Sequence, residues 1–77
     1  MPAGAFILIN SEVGKEQEIL VKLRTLPYVV ESYAVYGVYD LVIRLEADDL
    51  DTLKSVISKN IRTIEFIEKT FTMIIQS

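Results

Sequence analysis

The chain has 77 residues, of which 51 % are hydrophobic, and it contains neither cysteine nor histidine. A chain of this length predicts a single domain, residues 1–77, which needs a tightly packed core or self-association because no disulfide can stabilise it. The formal net charge is −3 and the eight basic residues are scattered, which argues against direct binding to nucleic acid. The N-terminus lacks a signal pattern and no apolar run reaches membrane-spanning length, so we expect no membrane contact and a cytoplasmic location.

The missing residue types exclude several kinds of chemistry. Without histidine or cysteine the chain has no Ser-His-Asp or Cys-His nucleophile and no soft or imidazole-rich metal site. Its three glycines are isolated, so no phosphate-binding loop is present. Asp48, Asp49 and Asp51 are suited to chelating a hard cation, but capping a helix is the plainer interpretation. We therefore predict a protein that is not an enzyme and that holds no metal and no cofactor.

The first third of the chain predicts a strand followed by a helix. Residues 5–10, AFILIN, form a continuous apolar run that is typical of a strand buried on both faces. A turn-like cluster follows, and an apolar stripe then predicts a helix over residues 15–25. Pro27 ends this helix, because the residue before a proline is disfavoured in the helical region.

Residues 29–47 predict a β-hairpin with its tip at Gly37. Both arms, residues 29–36 and 40–47, are rich in Val, Ile, Leu and Tyr, which suit a pleated sheet. The predicted register pairs Tyr36 with Leu41 on one face. On the other face it pairs Val35 with Val42, Tyr33 with Arg44, and Glu31 with Glu46. This second face is too apolar for solvent and too polar for a core, which indicates a protein–protein interface formed by Tyr33, Val35, Val42 and Arg44.

The last part of the chain predicts a second helix and a final strand. Asp48 is suited to cap the helix, with Asp51 as the matching acid, and the helix is expected to end near Asn60. Residues 64–75 predict the strand, with Phe71 and other apolar residues on one face and two threonines on the other.

The order strand, helix, strand, strand, helix, strand predicts an α+β fold. Its simplest arrangement is ferredoxin-like: a four-stranded antiparallel βαββαβ sheet with both helices on one face. The other face of the sheet then has no cover within the chain. We expect the protein to dimerise through this sheet face, which reconciles the apolar content with a folded domain of this size.

The hairpin tip, Gly37, Val38, Tyr39 and Asp40, is the candidate ligand site. The Asp40 carboxylate is suited to hold a ligand's ammonium group while backbone amides of the turn bind its carboxylate. The alternative is a turn in which Asp40 bonds to nearby backbone. Thr70 and Thr72 either line an interface pocket with their hydroxyls or simply reflect the preference of threonine for strands.

Three stretches resemble the effector-binding (RAM) domain of the Lrp/AsnC transcriptional regulators: PYVVESYAV at 27–35, GVYDL at 37–41 and IEKTFTMII at 67–75. The resemblance implies homodimers assembled into octamer-like rings. It also implies an amino-acid effector bound between dimers, near Gly37, Tyr39 and Asp40 and, more weakly, Thr70 and Thr72. Tyr36 and Val38 depart from the family pattern in ways that fill or dry this pocket.

The resemblance also implies a DNA-binding helix-turn-helix domain, for which this chain has no counterpart. We therefore expect a stand-alone module in transcription regulation that reaches DNA through a full-length Lrp/AsnC regulator. One alternative is a structural partner of such regulators that binds no ligand. A more remote one is a small dimeric ferredoxin-like enzyme, against which the lack of histidine argues.

Overall fold

The computed structural model describes residues 2–76 and has the predicted order of elements. Within these residues lie β1 (Ala3–Ser11), α1 (Glu16–Arg24), β2 (Val29–Ala34), β3 (Leu41–Ala47), α2 (Leu50–Val56) and β4 (Ile67–Ile74). The strands form one antiparallel sheet in the order β2-β3-β1-β4. The predicted ferredoxin-like α+β fold is thereby confirmed. None of the helices in residues 2–76 is long and apolar enough to cross a membrane.

The core lies between the helices and one face of the sheet. Alternate residues of the two central strands are fully buried there, because successive side chains of a strand point to opposite faces. The helices supply the other half of this layer. The main buried side chains are Ile7, Ile9, Leu41, Ile43 and Leu45 from the strands and Ile19, Leu23 and Leu53 from the helices. The prediction that β1 is buried on both faces is wrong. Phe6 lies on the uncovered side and is 40 % exposed.

The hairpin register differs by two residues from the predicted one. Ala34 faces Leu41 and Tyr33 faces Val42, so the strands end earlier and residues 35–40 form a longer loop. The reason lies in β1, because the backbone N–H of Asp40 donates to the Ile9 carbonyl at 2.9 Å instead of continuing a tight turn. A shift of two residues leaves the side chains of residues 31–34 on their predicted face. A β-bulge between Val29 and Glu31 turns Val29 toward the core.

The boundaries of α2 and β4 also differ from prediction. Asp49, and not Asp48, caps α2, since its Oδ1 accepts a hydrogen bond from the Thr52 backbone N–H at 2.7 Å. This bond lowers the pKa of the Asp49 carboxyl. A π-helical turn, Ile57–Ile61, extends α2 by one residue beyond the predicted end. β4 begins later than predicted, after Phe66, which has a positive φ of 71° that a strand cannot accommodate.

Candidate functional site

The loop of residues 35–40 lies at one end of the sheet. Its base is closed by the backbone N–H of Val35, which donates to the Asp40 carbonyl at 2.9 Å. Gly37 has φ +149°, a conformation that residues with a side chain rarely adopt. The side chains of Tyr36 and Val38 are exposed to solvent. In the single chain they therefore do not fill a pocket, and they remain available to a neighbouring subunit.

Asp40 anchors the loop to β1. Its Oδ2 accepts a hydrogen bond from the backbone N–H of Ser11 at 2.9 Å. The carboxylate therefore bonds to backbone, as the alternative to a ligand role expected, but to the backbone of another strand and not of its own turn. The ligand role of Asp40 stays a prediction. The hydrogen bonds of the described residues involve Oδ2 alone, so Oδ1 keeps its capacity to accept.

Tyr39 folds over the uncovered face of the sheet. Its ring stacks on Phe71 of β4, with centroids 6.5 Å apart and the ring planes at 29°. Phe71 is paired with Leu8 of β1 on the side opposite the helices. Tyr39 precedes β3, and β1 lies between β3 and β4, so the ring crosses β1 to reach Phe71. The loop thus brings Gly37, Tyr39 and Asp40 to the end of the uncovered face.

Thr70 and Thr72 lie on the other side of the sheet. Their partners in β1 are Ile9 and Ile7, whose side chains are fully buried beneath the helices. A single chain therefore does not bring the two hydroxyls together with Tyr39 and Asp40. Their part in a ligand site stays a prediction, and it requires a second subunit that approaches the β4 edge.

The uncovered face, which we call the open face, carries exposed aromatic and aliphatic side chains beside a group of charges. Four of its large apolar residues, Phe6, Tyr33, Phe71 and Met73, are about 40–52 % exposed. The predicted interface residues Tyr33, Val42 and Arg44 lie on this face, where Tyr33 and Val42 are directly paired. Val35 follows the end of β2 and belongs to the loop.

The charges of the open face form one connected group. Arg44 donates from Nε to Glu31 Oε1 and from Nη1 to Glu46 Oε2, each at 2.6 Å, and the Tyr33 hydroxyl donates to Glu31 Oε2 at 2.6 Å. The predicted pairing of Glu31 with Glu46 is wrong, because the shifted register places Arg44 opposite Glu31. The bonds from Tyr33 and then Arg44 lower the pKa of Glu31, and Glu31 raises the pKa of Tyr33.

Three residues near the loop escaped the sequence analysis. Asn10 and Ser11 end β1 beside Asp40, and Asn10 Oδ1 and Ser11 Oγ are buried without a hydrogen-bond partner among the described residues. Lys69 is the β4 partner of Asn10. Asn10 ends the predicted strand of residues 5–10 and Ser11 belongs to the turn-like cluster after it, so the sequence carried no signal that they adjoin Asp40. Within residues 2–76, no three acidic side chains come together as metal ligands would.

Residues 4–77 match the family described as the Lrp/AsnC ligand binding domain. The chain is 37 % identical over 71 residues to the HTH-type transcriptional regulator FL11 of Pyrococcus furiosus, covering 92 % of this chain and 46 % of that protein. It is 34 % identical over 73 residues to the regulatory protein AsnC of Escherichia coli K12, covering 94 % of this chain and 48 % of that protein. The chain therefore spans about half the length of these curated relatives.

A solved structure shows the same fold at nearly the same length. The hypothetical protein PHS023 from Pyrococcus horikoshii superposes with a TM-score of 0.92 and 43 % identity, covering 97 % of this chain and 90 % of that chain. The named curated relatives are transcriptional regulators, so the prediction that the protein is not an enzyme is confirmed and the enzyme alternative is dropped. The chain belongs to the Lrp/AsnC ligand-binding domain family of transcriptional regulators.

Proposed function

We propose that this domain binds a free amino acid at the Gly37–Asp40 loop and couples that binding to the assembly of its subunits. The observation that carries the proposal is the position of the Asp40 carboxylate. It is held at the end of the open face by Ser11, with Oδ1 unbonded, next to the Tyr39 ring stacked on Phe71. A fixed carboxylate beside apolar rings suits an ammonium group carried on a small organic molecule.

The site is incomplete in one chain and is proposed to form between subunits. Tyr36 and Val38 extend into solvent from the same loop, so a second subunit is needed to enclose a ligand there. Thr70 and Thr72 lie in β4, at the edge of the sheet. We propose that they enter a site that forms when a second subunit approaches this edge. Residues of two subunits would then surround one effector.

Assembly through the open face is proposed to give a homodimer. A second copy would cover the exposed side chains of Phe6, Tyr33, Phe71 and Met73, which otherwise remain in water. Arg44 neutralises much of the charge of Glu31 and Glu46 before the face is covered. Dimers of this kind are proposed to join into an octamer-like ring, with Val35 and Val42 near the contacts.

The effector would act by linkage. A ligand that binds one assembly state more tightly than another shifts the equilibrium toward that state, by no more than the difference in affinity. Because the proposed site lies between subunits, separating them removes half of the site. The bound effector is therefore expected to stabilise the assembled form.

The link to transcription is proposed to be indirect. The formal net charge of −3 and the scattered basic residues argue against direct binding of this domain to DNA. Co-assembly with a full-length Lrp/AsnC regulator in the cytoplasm would bring the module to DNA.

One observation favours a second candidate function, a structural partner that binds no ligand. Asp40 already has a structural role, since its carboxylate bonds to Ser11 and its backbone N–H bonds to Ile9. In this case the loop serves only to shape the surface that contacts a regulator.

Calorimetric titration of the domain with each of the twenty amino acids distinguishes the two functions. Effector binding predicts that at least one amino acid binds with a dissociation constant below millimolar. Asp40→Asn keeps an oxygen for Ser11 but loses the charge, so it should weaken this binding by about 10- to 100-fold. The matched control is Asp48→Asn, at the opposite end of β3. If no amino acid binds while the domain still associates, the structural role is the correct one.

A further inference from the structure

We propose that Lys69 and Asn10 complete the effector site, with Lys69 binding the carboxylate of an α-amino acid whose ammonium group lies between Asp40 and Asn10. This inference rests on the proposed function and specifies its ligand as an α-amino-acid zwitterion with an apolar side chain.

The first argument concerns the carboxylate of such a ligand. The nearest backbone donors of the loop base are already used, because the N–H of Asp40 bonds to Ile9 and that of Val35 bonds to the Asp40 carbonyl. A cationic side chain on the same side of the sheet would bind the carboxylate of the ligand more strongly than the remaining loop amides, because a charge-assisted hydrogen bond is the stronger kind.

Lys69 is the cation that meets this need. The open face carries two cations, and Arg44 is fully engaged with Glu31 and Glu46 at the other end of the face. Lys69 is directly paired with Asn10 and lies two residues from Phe71, the residue on which Tyr39 stacks. It makes no ion pair within the part of the chain that the structure describes. Its ammonium group is therefore free to bind an incoming anion.

The spacing of the two charges fits a zwitterion. Asp40 lies against one side of β1, where it bonds to Ile9 and Ser11, and Lys69 lies against the other side. Two neighbouring strand spacings separate their backbones by roughly 10 Å. Both side chains can reach inward over Asn10, so one small molecule with adjacent positive and negative groups can contact both.

Asn10 explains how the ammonium group is held. Its Oδ1 is buried without a hydrogen-bond partner among the described residues, which is unfavourable for a polar atom. An ammonium has three donors, and the free Asp40 oxygen satisfies only one of them. The side chain of Asn10 is half-buried, so a rotation of its amide presents the oxygen to a ligand on the open face. The ligand thereby satisfies an acceptor that the empty site leaves unpaired.

The stacked rings define the rest of the ligand. Tyr39 and Phe71 lie beside Asn10 on the same face and offer apolar surface without a charged group between them. An α-amino acid held at both charged ends therefore places its side chain against these rings. Aliphatic or aromatic side chains suit this surface, whereas a charged side chain would lose hydration there without gaining a partner.

The test compares L-phenylalanine, L-methionine and L-leucine with their α-carboxamides, which lack the negative charge. Calorimetry should show that Lys69→Gln weakens binding of the amino acids by about 10- to 100-fold and leaves binding of the carboxamides unchanged. Asn10→Ala should weaken binding of both kinds of ligand. Lys54→Gln, an equal loss of charge on the exposed side of α2, is the matched control and should change neither.

Three outcomes would overturn the inference. If the wild type binds amino acids and Lys69→Gln binds them equally well, Lys69 has no part in the site, although the proposed function stands. If Lys69→Gln weakens the carboxamides as much as the amino acids, it does not recognise the carboxylate. If the wild type binds none of the twenty amino acids, the proposed function fails and this inference fails with it.

Discussion

The two faces of the sheet are built from the same four strands but differ in almost every property. On the helix side, the side chains of the central strands are almost completely excluded from water. On the open face, large apolar side chains remain about half exposed, and four polar groups are joined in one hydrogen-bonded network. The first arrangement stabilises the single chain. The second leaves apolar side chains partly in water, so its contribution to stability depends on whether a partner covers it.

The largest expected effect is on the free energy of unfolding, to which the helix side of the sheet should contribute more than the open face. Ile43→Ala removes a side chain that is 1 % exposed beneath the helices, and it should lower the free energy of unfolding by about 2–5 kcal/mol. Phe71→Ala removes a larger side chain from the open face, but it should cost less than about 1.5 kcal/mol in the single chain, because that ring is half exposed. Urea unfolding at protein concentrations low enough to keep the chain monomeric measures both values.

This difference between the two faces would be contradicted if Phe71→Ala lowered the free energy of unfolding as much as Ile43→Ala under these dilute conditions. The open face would then contribute to the folding of the single chain as much as the core does. At high concentration the two values should converge, because association adds the stability of a covered Phe71.

The second expected effect concerns association. Tyr33→Asp places a carboxylate beside Glu31 on the open face, and light scattering should show the dimer weakened by at least about 100-fold. Val21→Asp is the control, because Val21 is also more than half exposed but lies on α1. It should leave the dimer unchanged. Equal weakening by both substitutions would show that the chain does not associate through the open face.

The sequence determined the faces better than it determined the register. Alternation placed the side chains of residues 31–34 and 41–46 on the correct faces, since this alternation depends only on neighbouring residues. It failed at Val29, where a β-bulge turns the side chain toward the core. The register was wrong because it depends on Asp40 bonding to Ile9 and Ser11, which are distant in the sequence. The cap of α2 was misplaced for a local reason, because Asp48 and Asp49 have the same side chain, and it is Asp49 whose carboxylate accepts from Thr52.

The candidate site was predictable in part. Gly37, Tyr39 and Asp40 are neighbours in the chain, so a loop with unusual residues was visible in the sequence. The ring contact between Tyr39 and Phe71 was not, because it depends on the placement of β4 beyond β1. Lys69 and Asn10 come together only through the pairing of these strands, which leaves no pattern within either segment.

The smallest expected effect is the pH dependence contributed by the charged group of the open face. Tyr33 and Arg44 lower the pKa of Glu31 in the folded protein, so their stabilisation is present above the usual glutamate pKa of about 4.3 and is lost as the pH falls through the lowered value. Glu31 raises the pKa of Tyr33, so this bond is present below about pH 10 and is lost as the pH rises through the raised value.

Glu31→Gln should therefore flatten the dependence of the free energy of unfolding on pH at both ends of this range. The change should be small, because exposed ion pairs contribute little. Urea unfolding of the monomeric chain at a series of pH values measures it, with Glu18→Gln on α1 as the control, since Glu18 pairs with Lys15 away from the sheet. A wild-type pH profile that matched that of Glu31→Gln would show that the network of Glu31, Tyr33 and Arg44 does not contribute to the stability of the folded chain.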